Sequence, residues 1–323
     1  LCVHLFTSDA EQSPFTVPEV RRVPLEQLVM RTKSLHMGAA ADVCADLPEP
    51  PEREAVEASV RELRSLGALT PCENLTDLGK LLAKLPIDAR LGKLIVLGLC
   101  FGAADETLTM AATLASRSPF LSPLERRTEA DRSKKAFAET NQSDHLACLA
   151  AYMQFDSLSG QGRFDFARER FLGIKTLQGV AQLKRQLLEA LSHAGIAPPG
   201  LRSSYVESIG RQQGNDGVRA ALGQRFQAPQ ELLCALLSAA LFPQVAYLHA
   251  PNTKKGPCAA ELVRLHIREP QGESSDPQTA CIHPSSVNSS VGGADWRSTY
   301  LAFHECVRTT KVYVRDCTPV PPL

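Results

Sequence analysis

The sequence predicts a multidomain chain that is mainly α and ends in an all-β domain. Three observations carry that reading. Apolar residues recur at helical spacing between Leu25 and Leu241, as they do where helices bury one face. Residues 85–123 hold two apolar helical runs separated by Gly102-Ala103-Ala104. Both runs are apolar over more than one stripe, so both belong at the centre of a bundle. From Val245 the period changes to short runs divided by turn-rich segments, the pattern of strands.

The 323 residues suffice for two or three domains. With 44% hydrophobic and 22% charged residues, the chain has an ordinary globular composition. Net charge is zero and the pI is about 7.2, so any basic surface must be local. The uncharged run 94–104 is too short to span a bilayer, and no signal peptide is visible. The first residue is Leu1 rather than Met, so the sequence reads as a fragment whose targeting signals can be missing. Ten cysteines include no C-x-x-C pair. They predict reduced thiols in an intracellular compartment, without distinguishing nucleus, cytoplasm or organelle.

Taken in order, residues 1–7 read as a short strand. A helix is expected over 24–35, with Leu25, Leu28, Val29 and Leu35 on one side, then a proline-rich loop over 45–51. Residues 52–66 form a strong amphipathic helix with Val56, Val60, Leu63 and Leu66 as its stripe and Gly67 just past its end. A small hairpin over 68–76 follows. Two helices and a hairpin give the order of a winged helix. Glu52, Glu54, Glu57 and Glu62 stand against Arg53, Arg61 and Arg64. That helix is too acidic for groove recognition and suits docking to other domains.

Within 85–123, Asp88 precedes the first run and Asp105 opens the second, both in N-cap chemistry. Arg117-Ser118-Pro119-Phe120 stops the second run, because a residue before proline is driven from the α region. Residues 125–135 read as a solvated linker or helix end, 145–155 as amphipathic helix and 157–163 as a flexible loop. That loop lacks G-x-x-x-x-G-K-[ST]. One long helix is expected over 166–193, a break over 195–200, and helices over 218–226 and 230–241. Strands are expected over 245–249, 261–267, 279–283, 300–308 and 310–317. Five short strands with long loops suit an OB-fold barrel, a frequent oligonucleotide binder.

On the last two strands, Leu301, Phe303, Val307, Val312 and Val314 should face the core. Lys311, Tyr313 and Arg315 then share the other face. Cations flanking an aromatic ring suit single-strand binding, and a solvated or domain-packed strand face is the competing reading. Cys281 with His283, and His304 with Cys306, lie two apart on expected strands. A zinc site would need those strands adjacent, and the pairs read as ordinary strand residues. No G-x-S-x-G or H-E-x-x-H sequence occurs.

The runs LPIDARLGK and ADETLTMAATLASRSPF, then CIHPSSVN, then HECVRTTKVYVRDCT resemble, in order, DEAH-box RNA helicases of the RNA helicase A-like branch. The resemblance covers nearly the whole chain. It implies the end of a second RecA-like domain over 1–20, a winged helix over 21–86, a ratchet-like helical bundle over 87–228 and an OB-fold over 229–323. Residues 167–170 depart from it: the family's Cys-Trp-Glu-Asn is Ala167-Arg168-Glu169-Arg170 here. By resemblance, Arg117, Ser118, His283, Ser285, Ser286, Arg308, Thr309, Thr310 and Lys311 join Tyr313 and Arg315 as RNA contacts. The implied partners are single-stranded RNA, the RecA-like core of the same protein and ribonucleoprotein components, with no membrane. No Walker A or DEAH sequence occurs. The chain is therefore expected to have no catalytic residue, metal or cofactor of its own, with ATP and Mg2+ bound in a core outside it. Two functions follow. One is an accessory region that clamps RNA and couples NTP hydrolysis to 3′-to-5′ movement; the other is a non-catalytic RNA- or protein-binding assembly scaffold.

Overall fold

The computed structural model describes residues 15–196, 201–251, 256–267 and 278–320. The expected strand at 1–7, and most of the break expected at 195–200, lie outside those residues.

Three helices open the described chain: α1 (Glu26–Ser34), α2 (Ala40–Ala45) and α3 (Arg53–Leu66). Val29, Met30, Cys44, Val56, Val60 and Leu63 form their shared core. α3 ends where Gly67 takes φ 83° and the Ala68 amide donates to Leu63 O at 2.8 Å. This is the left-handed helix stop for which glycine is suited. The hairpin is a single antiparallel bridge between Leu69 and Leu75. Thr76 then caps α4 (Asp77–Leu82), accepting from the Gly79 amide at 3.0 Å. α2 lies between the two expected helices; at six residues it is too short to display a period.

The central pair is α5 (Ala89–Cys100) and α6 (Ala104–Leu114). Asp88 Oδ1 accepts from the amides of Arg90 and Leu91 at 2.8 and 3.4 Å, as its N-cap position predicts. Asp105 departs from expectation. Ala103 holds the cap position, and Asp105 lies inside α6, fully buried. The Ala103 amide closes back onto Gly98 O at 2.7 Å, so the helix begins before Asp105 is reached. The two helices meet at Gly98, where an added Cβ would lie 1.8 Å from Thr107 Oγ1.

Beyond the pair come α7 (Arg127–Ala138), α8 (Asp144–Ser157), α9 (Gly160–Glu169) and α10 (Ile174–His193). Residues 127–138 are thus helix rather than linker. The expected flexible loop at 157–163 is in large part the first turn of α9. Arg163 bonds back to Leu158 O and Asp156 O and lies 4.8 Å over the Phe155 ring. The expected single helix over 166–193 is two. Phe171 takes φ 55°, and Leu172 pairs with Phe120 in an antiparallel bridge. α11 (Ser203–Ala221) breaks at Gly214 (φ 64°, ψ −156°), and α12 (Gln230–Leu241) completes the helical part.

The strands are β1 (Val245–His249), β2 (Arg264–Ile267), β3 (Gln278–Ile282), β4 (Tyr300–Arg308) and β5 (Val312–Val320). They close a barrel in the order β1-β2-β3-β5-β4, with β3 and β5 parallel. Leu248, Leu265, Ile267, Leu301, Phe303, Val314 and Cys317 fill it. Val307 and Val312 are only partly buried. Alternation along β5 resets at Asp316, whose φ is 49°: Val314 and Cys317 both face the barrel core. Asp tolerates the left-handed region better than most residues. β5 separates β3 from β4, so the two Cys/His pairs are not on adjacent strands. α12 seats the barrel on the bundle, since Leu237, Ala240 and Leu241 share one cluster with Leu94, Met110 and Ala302.

Candidate nucleic-acid interface

Two buried acids brace this part of the molecule, and one of them, Asp144, underlies the turn that carries His283 and Ser285. Asp144 begins α8 behind its N-cap Ser143, which accepts from the Leu146 amide at 3.0 Å. The carboxylate of Asp144 accepts from Ser286 Oγ at 2.5 Å, the Val287 amide at 2.9 Å and the Cys317 amide at 3.2 Å. Lys134 Nζ lies 3.1 Å from its Oδ1. Burial would raise this carboxyl's pKa, but Lys134 and the three hydrogen bonds outweigh it and hold it below the usual range. Burial likewise pulls Lys134 down, and the charge of Asp144 more than reverses this. The second acid, Asp105, pairs with Lys184 at 2.5 Å and fixes α6 against α10.

Around Asp144 the bundle and the barrel share a polar seam. Thr318 Oγ1 lies 2.6 Å from both Ser143 Oγ and His145 Nδ1. Burial, then the nearby His304, pushes His145 down to about 3, so its ring is neutral. Asn288 donates to Gln142 O at 2.7 Å, and Arg297 donates to Thr140 O and Asn141 Oδ1 at 3.1 and 2.9 Å.

Lys134 has a further part. Its Nζ donates to Ser285 O at 2.5 Å and lies 5.3 Å from the Phe120 ring centroid. One side chain therefore ties the loop after α6 to the turn after β3. That loop carries Arg117 and Ser118, both exposed. It is pinned to the α9–α10 junction through Gly173 N to Pro119 O and Leu121 N to Phe171 O, each 2.8 Å. The turn carries His283, partly buried, and Ser285, exposed, with His283 Nδ1 2.7 Å from Ser285 Oγ. Burial and the charges of Arg315 and Lys134 lower the pKa of His283.

Ser286 departs from the surface expected of it. It is buried, with its hydroxyl given to Asp144, and so braces the turn from beneath. On β5, Tyr313 stands edge-on to His283 with centroids 5.7 Å apart. Arg315 pairs with Glu305 at 3.3 Å, so its charge is partly met within the barrel. Arg308, Thr309, Thr310 and Lys311 are exposed at the β4–β5 turn, closed by the Thr309 amide on Lys311 O at 2.9 Å. The geometry thus brings Arg117, Ser118, His283 and Ser285 onto one anchored patch, with Tyr313 and Arg315 beside His283.

Sequence reasoning missed Lys134 and Asp144, and gave Asp105 a capping role in place of its buried pairing with Lys184. The motif-bearing stretches do not contain Lys134 or Asp144, and Lys184, which answers Asp105, is 79 positions away. An acid directly after an N-cap serine was the one available signal, and many solvated helix starts look the same.

Three family models match in succession. A helicase-associated winged-helix domain covers 59–87, a ratchet-like helicase-associated domain 88–148 and an oligonucleotide/oligosaccharide-binding fold 233–323. The chain carries the accessory domains of the DEAH-box helicase family. The chain is 41% identical over 334 residues to the putative ATP-dependent RNA helicase DHX57 of Mus musculus, across 99% of the chain and 24% of that protein. It is 33% identical over 307 residues to the DExH-box ATP-dependent RNA helicase DExH1 of Arabidopsis thaliana, across 95% of the chain and 27% of that protein. The ATP-dependent DNA/RNA helicase DHX36 of Bos taurus is 32% identical over 326 residues, across 99% and 29%. The chain spans only about a quarter of the length of these relatives. No helix among the described residues is long and apolar enough to cross a membrane.

Proposed function

We propose that this chain is the RNA-clamping accessory region of an ATP-dependent RNA helicase. Arg117, Ser118, His283 and Ser285 would hold the backbone of single-stranded RNA on the patch anchored by Lys134. Lys311, with Arg308, Thr309 and Thr310, would extend that hold to the β4–β5 turn, beside Tyr313 and Arg315. Cations and hydroxyls grip phosphate and sugar without reading bases, which suits a motor that must step along any sequence. The observation that carries the reading is Lys134: it joins the helicase-associated loop and the barrel turn through Phe120, Ser285 and Asp144. A rigid joint of that kind would pass motion of a RecA-like core to both contacts together, coupling NTP hydrolysis to 3′-to-5′ movement. ATP and Mg2+ would belong to that core, and this chain alone is expected to release no phosphate from ATP above background.

The test is fluorescence anisotropy on single-stranded RNA across a salt series. Each phosphate neutralised on a single strand changes the log-affinity versus log-salt slope by about 0.7. Lys311→Gln is expected to flatten the slope by about that amount. Arg315→Gln should do less, since Glu305 already answers its charge. Unchanged slope and affinity in folded Lys311→Gln and Arg117→Gln variants would remove this surface from RNA binding. The scaffold reading would then be the better one.

A further inference from the structure

The other arc of the barrel carries a surface that the clamp does not use. Along β4, β1 and β2 the inward positions Leu301, Ala246, Leu248, Leu265 and Ile267 complete the core. The outward positions of the same strands form a row. Tyr247 pairs across β1 with Tyr300 on one side and with His266 on the other. Tyr247 and Tyr300 meet edge to face with centroids 5.7 Å apart, and Tyr247 stacks near-parallel to His266 at 6.4 Å and 22°. In the next row His249 lies opposite Arg264, and its ring is 5.7 Å from that of His266. Tyr247 is 47% exposed and Tyr300 42%, so these rings are not spent on the core.

The chemistry of the row selects its partner. The five side chains of these two rows, Tyr300, Tyr247, His266, His249 and Arg264, are aromatic or basic, and none is acidic. Arg264 is fixed by donating to the carbonyl oxygens of Glu261 and Val263 at 2.6 and 2.9 Å. Flat π-faces beside a fixed cation match a partner made of flat bases on a polyanionic backbone. We infer that Tyr300, Tyr247 and His266, flanked by His249 and Arg264, form a second single-stranded RNA platform that takes unpaired bases by stacking. It rests on the reading of the chain as RNA-binding but uses different residues on a different arc. The clamp would hold backbone, and this platform would hold bases.

The experiment compares a short oligouridylate with an abasic oligomer of the same length and phosphate number, titrated into the whole chain. Tyr247→Ala and Tyr300→Ala are expected to weaken oligouridylate binding by about five-fold to about a hundred-fold each. They should leave the salt slope and the abasic oligomer unaffected. Tyr247→Phe keeps the ring and should keep the affinity. In wild-type protein, photocrosslinking of a thiouridine oligomer should label the peptides carrying Tyr247 or Tyr300, a readout that needs no variant to fold. Unchanged oligouridylate affinity in the folded alanine variants overturns the platform, as do crosslinks confined to the β4–β5 turn. If Lys311→Gln flattens the salt slope while the tyrosine variants change nothing, the clamp stands and the platform falls. If only the tyrosine variants respond, the reverse holds. A chain that binds neither oligomer overturns both.

Discussion

Asp144 and Asp316 belong to one cluster of charges, yet their surroundings push them in opposite directions. Asp144 is depressed, because Lys134 and three hydrogen bonds favour its ionised form over the cost of burial. Its stabilising contribution is present above the unfolded carboxyl pKa and is lost as pH falls through its folded value. Asp316 is pushed up to about 6 by burial and by the charge of Asp144. The folded state then binds the proton more tightly than the unfolded chain, so this residue erodes stability as pH rises from about 4 to about 6. Asp316→Asn is expected to stabilise the chain by about 2 kcal/mol above pH 7 and by almost nothing at pH 4. Thermal melts across that range check it, and a gain that is the same at both ends would contradict it. Asp144→Ala strands a buried lysine and empties three donors; it is expected to cost about 3–5 kcal/mol in urea denaturation at neutral pH.

At the level of the element, the central helix pair was the most legible part of the sequence. Asp88 caps α5 as its position predicts, and the apolar spacing of both runs located them. Gly98 is one small residue within the first apolar run; that a neighbour's side chain occupies its Cβ site is a property of the pair. Gly98→Ala is expected to cost about 1–3 kcal/mol by overpacking against Thr107, although alanine favours a helix on propensity alone. Chemical denaturation gives the sign, and a stabilised variant would show that α5 and α6 can part without loss. The α9–α10 break was illegible for a different reason. Apolar residues continue through Phe171 and Leu172, so the period shows no interruption. The break is made by pairing with residues 119–121, about fifty positions earlier in the chain. The two faces of β5 were legible up to Asp316, where a left-handed residue resets the alternation that such readings assume. For the candidate interface, the exposed cations and the tyrosine could be read as a strand pattern. The side chains that anchor them could not, because burial of a charge is decided by partners distant in sequence.

Across the whole molecule, bundle and barrel have no clean division between them. One apolar cluster contains Leu94 of α5, Met110 of α6, Leu237 of α12 and Ala302 of β4, and the polar seam around Asp144 runs beside it. The α5–α12 part and the barrel are therefore expected to unfold in one calorimetric transition, with van't Hoff and calorimetric enthalpies in agreement. Two resolved transitions would mean that the seam contributes little.

The way Asp144 grips the barrel also bears on how such modules can be exchanged between proteins. Two of its donors, the amides of Val287 and Cys317, are main-chain groups that nearly any sequence supplies. A foreign barrel grafted onto this bundle needs only the right backbone path to satisfy them, together with a hydroxyl at the place of Ser286. The carboxylate and the lysine that neutralises it stay with the bundle. Docking is thus written mostly in the helical half, and the barrel remains free to vary the surface it turns outward.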